Sequence, residues 1–260
     1  MACVAVLIRV VGLICLAPWL QCDCNFLITV TLHLVTSPVK TGAGGRAERT
    51  EGRIVSAAAE LFLAHGYRGT TLSDVATAAG VSDRTIYVRF TTKADLLKRV
   101  IDVAVVGDTK QIDLAHRDWV VTTMTAPTLQ ERLVADAAGA AALFVRLAPL
   151  IAVALQVEPD EPVIAVSAQA GRDGTLTATR SFWSKLREDG LMHTDCDLEW
   201  VIATCGLLGT AETYLHMTRT TRWSPAEYER WRYRTWWHLA TTPDSRRPLT
   251  EPVHQTSTSV

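Results

Sequence analysis

Four side chains in the segment Arg84-Thr85-Ile86-Tyr87-Val88-Arg89 carry the chemistry that sets this chain apart: Arg84, Thr85, Tyr87 and Arg89. Two guanidinium groups and two hydroxyls supply hydrogen-bond donors, with positive charge, over one short stretch. Such a set reads phosphates and base edges rather than activating a nucleophile. The threonine pair Thr70-Thr71 adds hydroxyls that can cap free helix amides and also reach a backbone phosphate. No phosphate loop, nucleophile-elbow serine or spaced His/Glu ligand set occurs. His193, Asp195 and Cys196 could form a metal corner, but they have no distant partners, and no cofactor is expected. Glu158, Asp160 and Glu161 fall in a Pro-bounded segment and read as solvated carboxylates.

The elements around these residues follow from periodicity. Leu72, Val75, Ala76 and Ala79 recur on one helical face until Gly80 interrupts it. Val81 can plug the corner, Ser82 or Asp83 can cap a second helix, and Ile86 and Phe90 return to its apolar side. Arg84, Thr85, Tyr87 and Arg89 then point outward. An earlier helix from about Arg46 to His65 places Ile54, Ala58, Leu61 and Phe62 on one face, and Gly66 ends it. Arg46, Arg49 and Arg53 bring cations to its start, as phosphate ligands or as a solvated tail, behind a flexible Gly-rich lead from Thr41 to Gly45.

The stretch FLAHGYRGTTLSDVATAAGVSDRTIYVRFTTKADLL resembles the N-terminal domain of tetracycline-repressor (TetR) family regulators over about fifty residues. Gly66-Tyr67, Thr71, Ala76, Ala79-Gly80-Val81, Thr85, Tyr87, Phe90 and Lys93 carry the likeness. The resemblance implies a homodimer that sets two helices into successive major grooves, with half-sites ~34 Å apart. It gives Thr71 and Lys93 phosphates to hold, gives Tyr87 phosphate or sugar, and turns Ser73, Asp83, Arg84 and Thr85 toward base edges. Arg84 stands where the family commonly has glycine or a small residue; it can read guanine with two hydrogen bonds or bind phosphate alone. Asp83 suits a helix cap better than a base contact, since a carboxylate repels phosphate, and Val88 is equally awkward for DNA.

Composition is compatible with this. The chain of 260 residues has a net charge of −1, yet Lys40 to Val100 holds ten cations against six acids. The remainder is net acidic, as expected of a sensor or dimerisation domain. The fold class expected is all-α: an N-terminal three-helix helix-turn-helix domain over 46–95, then a larger ligand-binding and dimerisation bundle over 96–240. Residues 1–45 form an apolar extension and lead, and 241–260 a disordered tail. Breaks at Pro127, Pro149, Pro159 to Pro162, Gly171 to Gly174, Gly190 and Pro225 divide the second domain into five or six further helices.

Ala135 to Val157 is apolar almost all round and reads as a central helix pair able to line an effector pocket; Met124, Phe144 and Leu147 are its candidate lining, with plain core packing the favoured reading at each of them. The helices 197–218 and 225–239 resemble the dimerisation pair of the family; their aromatic side chains are buried either within the chain or, as favoured, in a four-helix interface between two copies. There Ala203, Gly206, Gly209 and Ala211 permit close approach, and Trp200, Leu207, Leu208, Tyr214, Tyr228, Trp231, Trp236 and Trp237 supply bulk. The pattern RWSPAEYERW resembles the corresponding end of many family members, with Ser224 as cap and Pro225 at the first helical position. Cys3, Cys15, Cys22 and Cys24 crowd the start, whereas only Cys196 and Cys205 follow, which suits a reduced, cytoplasmic body.

Three readings compete for residues 1–40: a signal peptide lacking its usual charge pattern, a membrane span interrupted by Arg9 and Pro18, or a translation start nearer Val39. The last is favoured. A membrane partner is expected only if those residues are present, which leaves a tethered regulator as one alternative and a helical-bundle enzyme as another. The effector, the operator and the choice between repressor and activator are not encoded in any motif.

Overall fold

The computed structural model describes residues 44–107 and 114–243, and all regular elements among them are helical. The expectations for residues 1–40 and for most of the tail lie outside the described residues. Ten α-helices run in order: α1 Gly44–His65, α2 Leu72–Ala78, α3 Asp83–Arg89, α4 Lys93–Val106, α5 Asp118–Thr125, α6 Leu129–Leu155, α7 Pro162–Glu188, α8 Leu198–Leu208, α9 Ala211–His216 and α10 Pro225–Thr241. A five-residue π turn, Met217–Thr221, follows α9.

The helix boundaries have local causes. Gly66 and Gly80 take φ of 71° and 61°, left-handed values that cost other residues energy. At the end of α2 the Val81 amide donates to Ala76 O at 2.9 Å and the Gly80 amide to Thr77 O at 3.1 Å, so two otherwise orphaned carbonyls are satisfied. Thr71, Thr92, Thr128 and Ser224 open α2, α4, α6 and α10, each with an acidic residue three positions on that returns the hydrogen bond. Pro225 occupies the first turn of α10, as the spacing predicts.

Three sequence expectations fail here. α1 begins at Gly44, inside the segment read as a flexible lead. Pro149 lies within α6, and Gly171 and Gly174 lie within α7, so neither set breaks a helix. Tertiary burial overrides the local propensity: α6 is one helix of 27 residues rather than a pair, flanked on both sides of Pro149 by buried Ala148 and Leu150. The supposed single helix 197–218 is divided by Gly209 and Thr210, with Thr210 capping α9. By length and mean hydropathy α6 could cross a membrane, but half of its most apolar window is buried inside the protein, where it serves as the central core helix.

The core has three parts. Ile54, Ala58, Phe62, Val75, Ala76, Ile86, Leu96 and Leu97 pack α1 to α4 together, and Leu150, Val153 and Ala154 from the end of α6, Val157 just after it and Ile164 from α7 belong to the same cluster. The helix-turn-helix therefore has no core separate from the bundle. A second cluster sets Phe182, Trp183 and Leu186 of α7 against Val201, Ile202 and Cys205 of α8 and Trp236 of α10. The third joins Phe144 and Leu147 of α6 to Tyr214 and Leu215 of α9 and Tyr228 of α10. Arg146 of α6 donates to Ala104 O and Val105 O at the end of α4, where a cation suits the helix terminus. Asp136 and Arg232 form a buried pair at 2.7 Å. Burial alone would lower the Arg232 pKa, but the Asp136 carboxylate reverses this and holds the guanidinium charged.

Candidate nucleic-acid interface

α3 is a seven-residue helix pinned by one fully buried side chain, Ile86, and by Phe90 just after its end. Fully burying a side chain of this size is worth roughly 1.5–3 kcal/mol, which fixes the face that remains outside. That face presents Arg84, exposed, with Tyr87 at 56% and Val88 at 77% exposure. Ser82 is the cap, accepting from the Thr85 amide at 3.2 Å, and its hydroxyl meets that of Thr85 at 2.8 Å.

Asp83 is therefore not the cap. Its carboxylate accepts from the Ser73 hydroxyl, 3.0 Å from each oxygen, and ties α3 to α2. Ser73 and Asp83, expected at base edges, are occupied with each other. Thr71 caps α2: its hydroxyl accepts from the Asp74 amide at 3.1 Å and donates to the Asp74 carboxylate at 2.6 Å. The Thr71 side chain and backbone bonds hold the Asp74 carboxyl below its ordinary pKa.

Two expected contacts are redirected. Arg89 is half-buried and faces α1, 3.6 Å from Glu51, which also takes Arg99 at 2.8 Å. Lys93 turns inward, donating to Tyr67 O at 2.7 Å and Thr70 O at 2.9 Å, with its ammonium 4.2 Å from the centre of the Tyr67 ring. Burial lowers the Lys93 pKa, and the nearby Glu161 charge partly opposes this. Its first task is to satisfy the carbonyls of the α1–α2 turn, which have no partner within a helix.

Arg53 has a role that the sequence did not disclose. It donates to Gly80 O at 3.1 Å and so holds the corner between α2 and α3 from α1, across 27 residues of chain. Arg46, Arg49, Arg53 and Arg89, with Val81 and Thr85, line an open groove of about 860 Å³ beside the recognition face. The clustering of cations at the start of α1 was the visible signal; their convergence on α3 was not, because it needs the helix crossing.

Of the weaker effector candidates, Phe144 and Leu147 are core residues. Phe144 packs against Tyr214 and Tyr228 with ring centres 5.6 and 5.9 Å away, while Met124 packs at the margin of the second core cluster. The structure does not bring the three together in one cluster.

Comparison with known proteins agrees with this geometry. Residues 54–100 match the family described as bacterial regulatory proteins, tetR family. The transcriptional regulator TtgR of Pseudomonas putida is 39% identical over 56 residues, which are 22% of this chain and 27% of that protein. ArpR of Pseudomonas putida aligns to the same extent. This chain thus aligns with about a quarter of the length of these curated relatives. Among solved structures, a TetR-family protein of Mesorhizobium loti is 23% identical, covering 75% of this chain and 96% of its own, with a TM-score of 0.57. NalD of Pseudomonas aeruginosa, described as a secondary repressor of a multidrug efflux pump, is 17% identical, with 74% and 97% covered and a TM-score of 0.54. The helical fold is shared with these solved structures, and over residues 54–100 the chain is similar to the tetR family of bacterial regulatory proteins.

Proposed function

We propose that the protein is a cytoplasmic, homodimeric transcriptional repressor that binds a palindromic operator and releases it when a small molecule enters the helical bundle. The observation that supports this most directly is α3, whose apolar side is sealed into the core while Arg84 and Tyr87 stand free on the other. Thr71, Thr85, Arg46, Arg49 and Arg53 would flank them along the phosphate backbone; Arg89 and Lys93 would hold the helices in place. Relatives described as transcriptional regulators and repressors agree with this role.

Dimerisation is assigned to α8 with α10. Trp200 at 52% and Leu207 at 71% exposure lie seven residues apart on α8, with Ala203 between them, so one apolar stripe remains uncovered in the single chain. Trp237 of α10 is 38% exposed. Tyr214, Tyr228 and Trp236, expected to contribute to this surface, are instead buried within the chain.

The test is binding of the purified protein to genomic fragments, beginning with its own upstream region, over a range of salt. Tyr87→Ala should weaken specific and nonspecific DNA alike and leave the salt dependence unchanged, because a neutral hydroxyl displaces no counterion. Arg84→Ala should relax base preference at one position, by about 1–3 kcal/mol if it reads guanine. Unaltered binding in both variants would refute the reading.

A further inference from the structure

The acidic segment Glu158-Pro159-Asp160-Glu161, between α6 and α7, has all three carboxylates engaged, one by α7 and two by the α1–α2 turn. Glu158 takes two guanidinium nitrogens of Arg172, each at 2.9 Å, and Arg172 also reaches Glu212 of α9 at 3.3 Å. Asp160 pairs with Arg68 at 2.9 Å. Glu161 accepts from the hydroxyl of Tyr67 at 2.8 Å, and the buried Tyr67 ring carries Lys93 on its face.

One side of the segment is thus held by α7 and α9, and the other by the α1–α2 turn. Beyond that turn, Thr71 caps α2 and Ser73 holds Asp83 of α3. Val157 and Ile164, on either side of the segment, are buried in the core shared with α1 to α4. The contacts are not of equal weight. Arg68 and Asp160 are 82% and 64% exposed, so solvent screens that pair to little effect. The Tyr67 hydroxyl is pushed to a higher pKa by burial and by its bond to Glu161, and serves as a fixed donor. A cleft of about 240 Å³ lined by His65, Gly66, Tyr67, Arg68, Gln156 and Val157 opens beside the joint, so the turn has room to shift.

We propose that Glu158 and Glu161 are positioning residues that couple the bundle to the recognition helix: movement of α9 reaches α3 through Arg172, the acidic segment and Tyr67. This rests on the regulator reading above, and it locates where that regulation passes. Coupling of this kind travels through packed side chains and hydrogen-bond networks.

The test is hydrogen exchange of the full chain, followed by mass spectrometry, in Glu161→Ala, Tyr67→Phe, Glu161→Gln and Arg172→Ala. Glu161→Ala and Tyr67→Phe should each speed exchange over residues 66–72 about tenfold, and the double variant no further, because both remove the same bond. Glu161→Gln retains an oxygen that accepts from Tyr67 and should stay near wild type. Arg172→Ala should speed exchange over 157–162 and, about threefold, over 66–72. Unchanged exchange at 66–72 in the first two variants, an Arg172→Ala effect confined to 157–162, or uniform acceleration across all helices would overturn the proposal. Exchange requires no DNA, so failure of the regulator reading would appear separately as an absence of operator binding.

Discussion

The Glu158 carboxylate is held below its ordinary pKa of 4.5, first by the hydrogen bonds from Arg172 and then by the charge of that guanidinium. Asp74, Asp189, Glu199 and Glu227 are displaced in the same direction by their own donors. A carboxylate lowered in the folded state stabilises the fold above its unfolded pKa, and that contribution disappears as pH falls through the folded value. Thermal midpoints should therefore be flat near neutrality and drop once pH falls below the ordinary carboxylate range. Glu158→Gln should lower the neutral midpoint and make the acid drop shallower. An identical acid profile in the variant would show that the Arg172 pair does not contribute to stability.

At the scale of the helix, glycines at similar depth in their helices differ because of what surrounds them. An added Cβ at Gly171 or Gly174 of α7 would meet nothing within 4 Å, whereas at Gly139 of α6 it would lie 2.1 Å from the Trp119 ring. Gly171→Ala and Gly174→Ala should each stabilise the protein by about 1 kcal/mol through helix propensity. Gly139→Ala should destabilise it by about 1–3 kcal/mol through overpacking. Chemical denaturation of the three variants measures both signs; a loss at Gly171 or Gly174 would mean that another surface packs on that face of α7.

For the whole molecule, α1 to α4 share a core with the end of α6, so in the proposed dimer the spacing of the two copies of α3 would follow the bundle. Leu207→Arg places a charge at the most exposed apolar side chain of the stripe on α8. It should weaken self-association by about thirtyfold or more, as expected for an interface anchor worth about 2 kcal/mol, and reduce operator affinity in parallel. Light scattering and sedimentation report the first effect, and fragment binding the second. A variant that remains fully dimeric would place the interface elsewhere.

The sequence by itself determined the class of fold and the start of most helices, because caps, glycine stops and apolar periodicity act over four residues or fewer. Thr71, Gly80, Ile86, Ser224 and Pro225 mark their elements without reference to the rest of the chain. It also showed that Arg84 and Tyr87 face outward from α3, but not that Arg89 turns toward Glu51 of α1. Only the tertiary structure decided where long side chains with several possible partners go. Lys93 turns inward, Arg53 reaches the α2–α3 corner, and Glu161 meets Tyr67 across 94 residues. Packing likewise kept α6 continuous through Pro149 and placed Tyr228 and Trp236 inside the chain. Periodicity marks an apolar face, but whether that face meets its own chain or a second copy depends on helix crossings that no local pattern encodes.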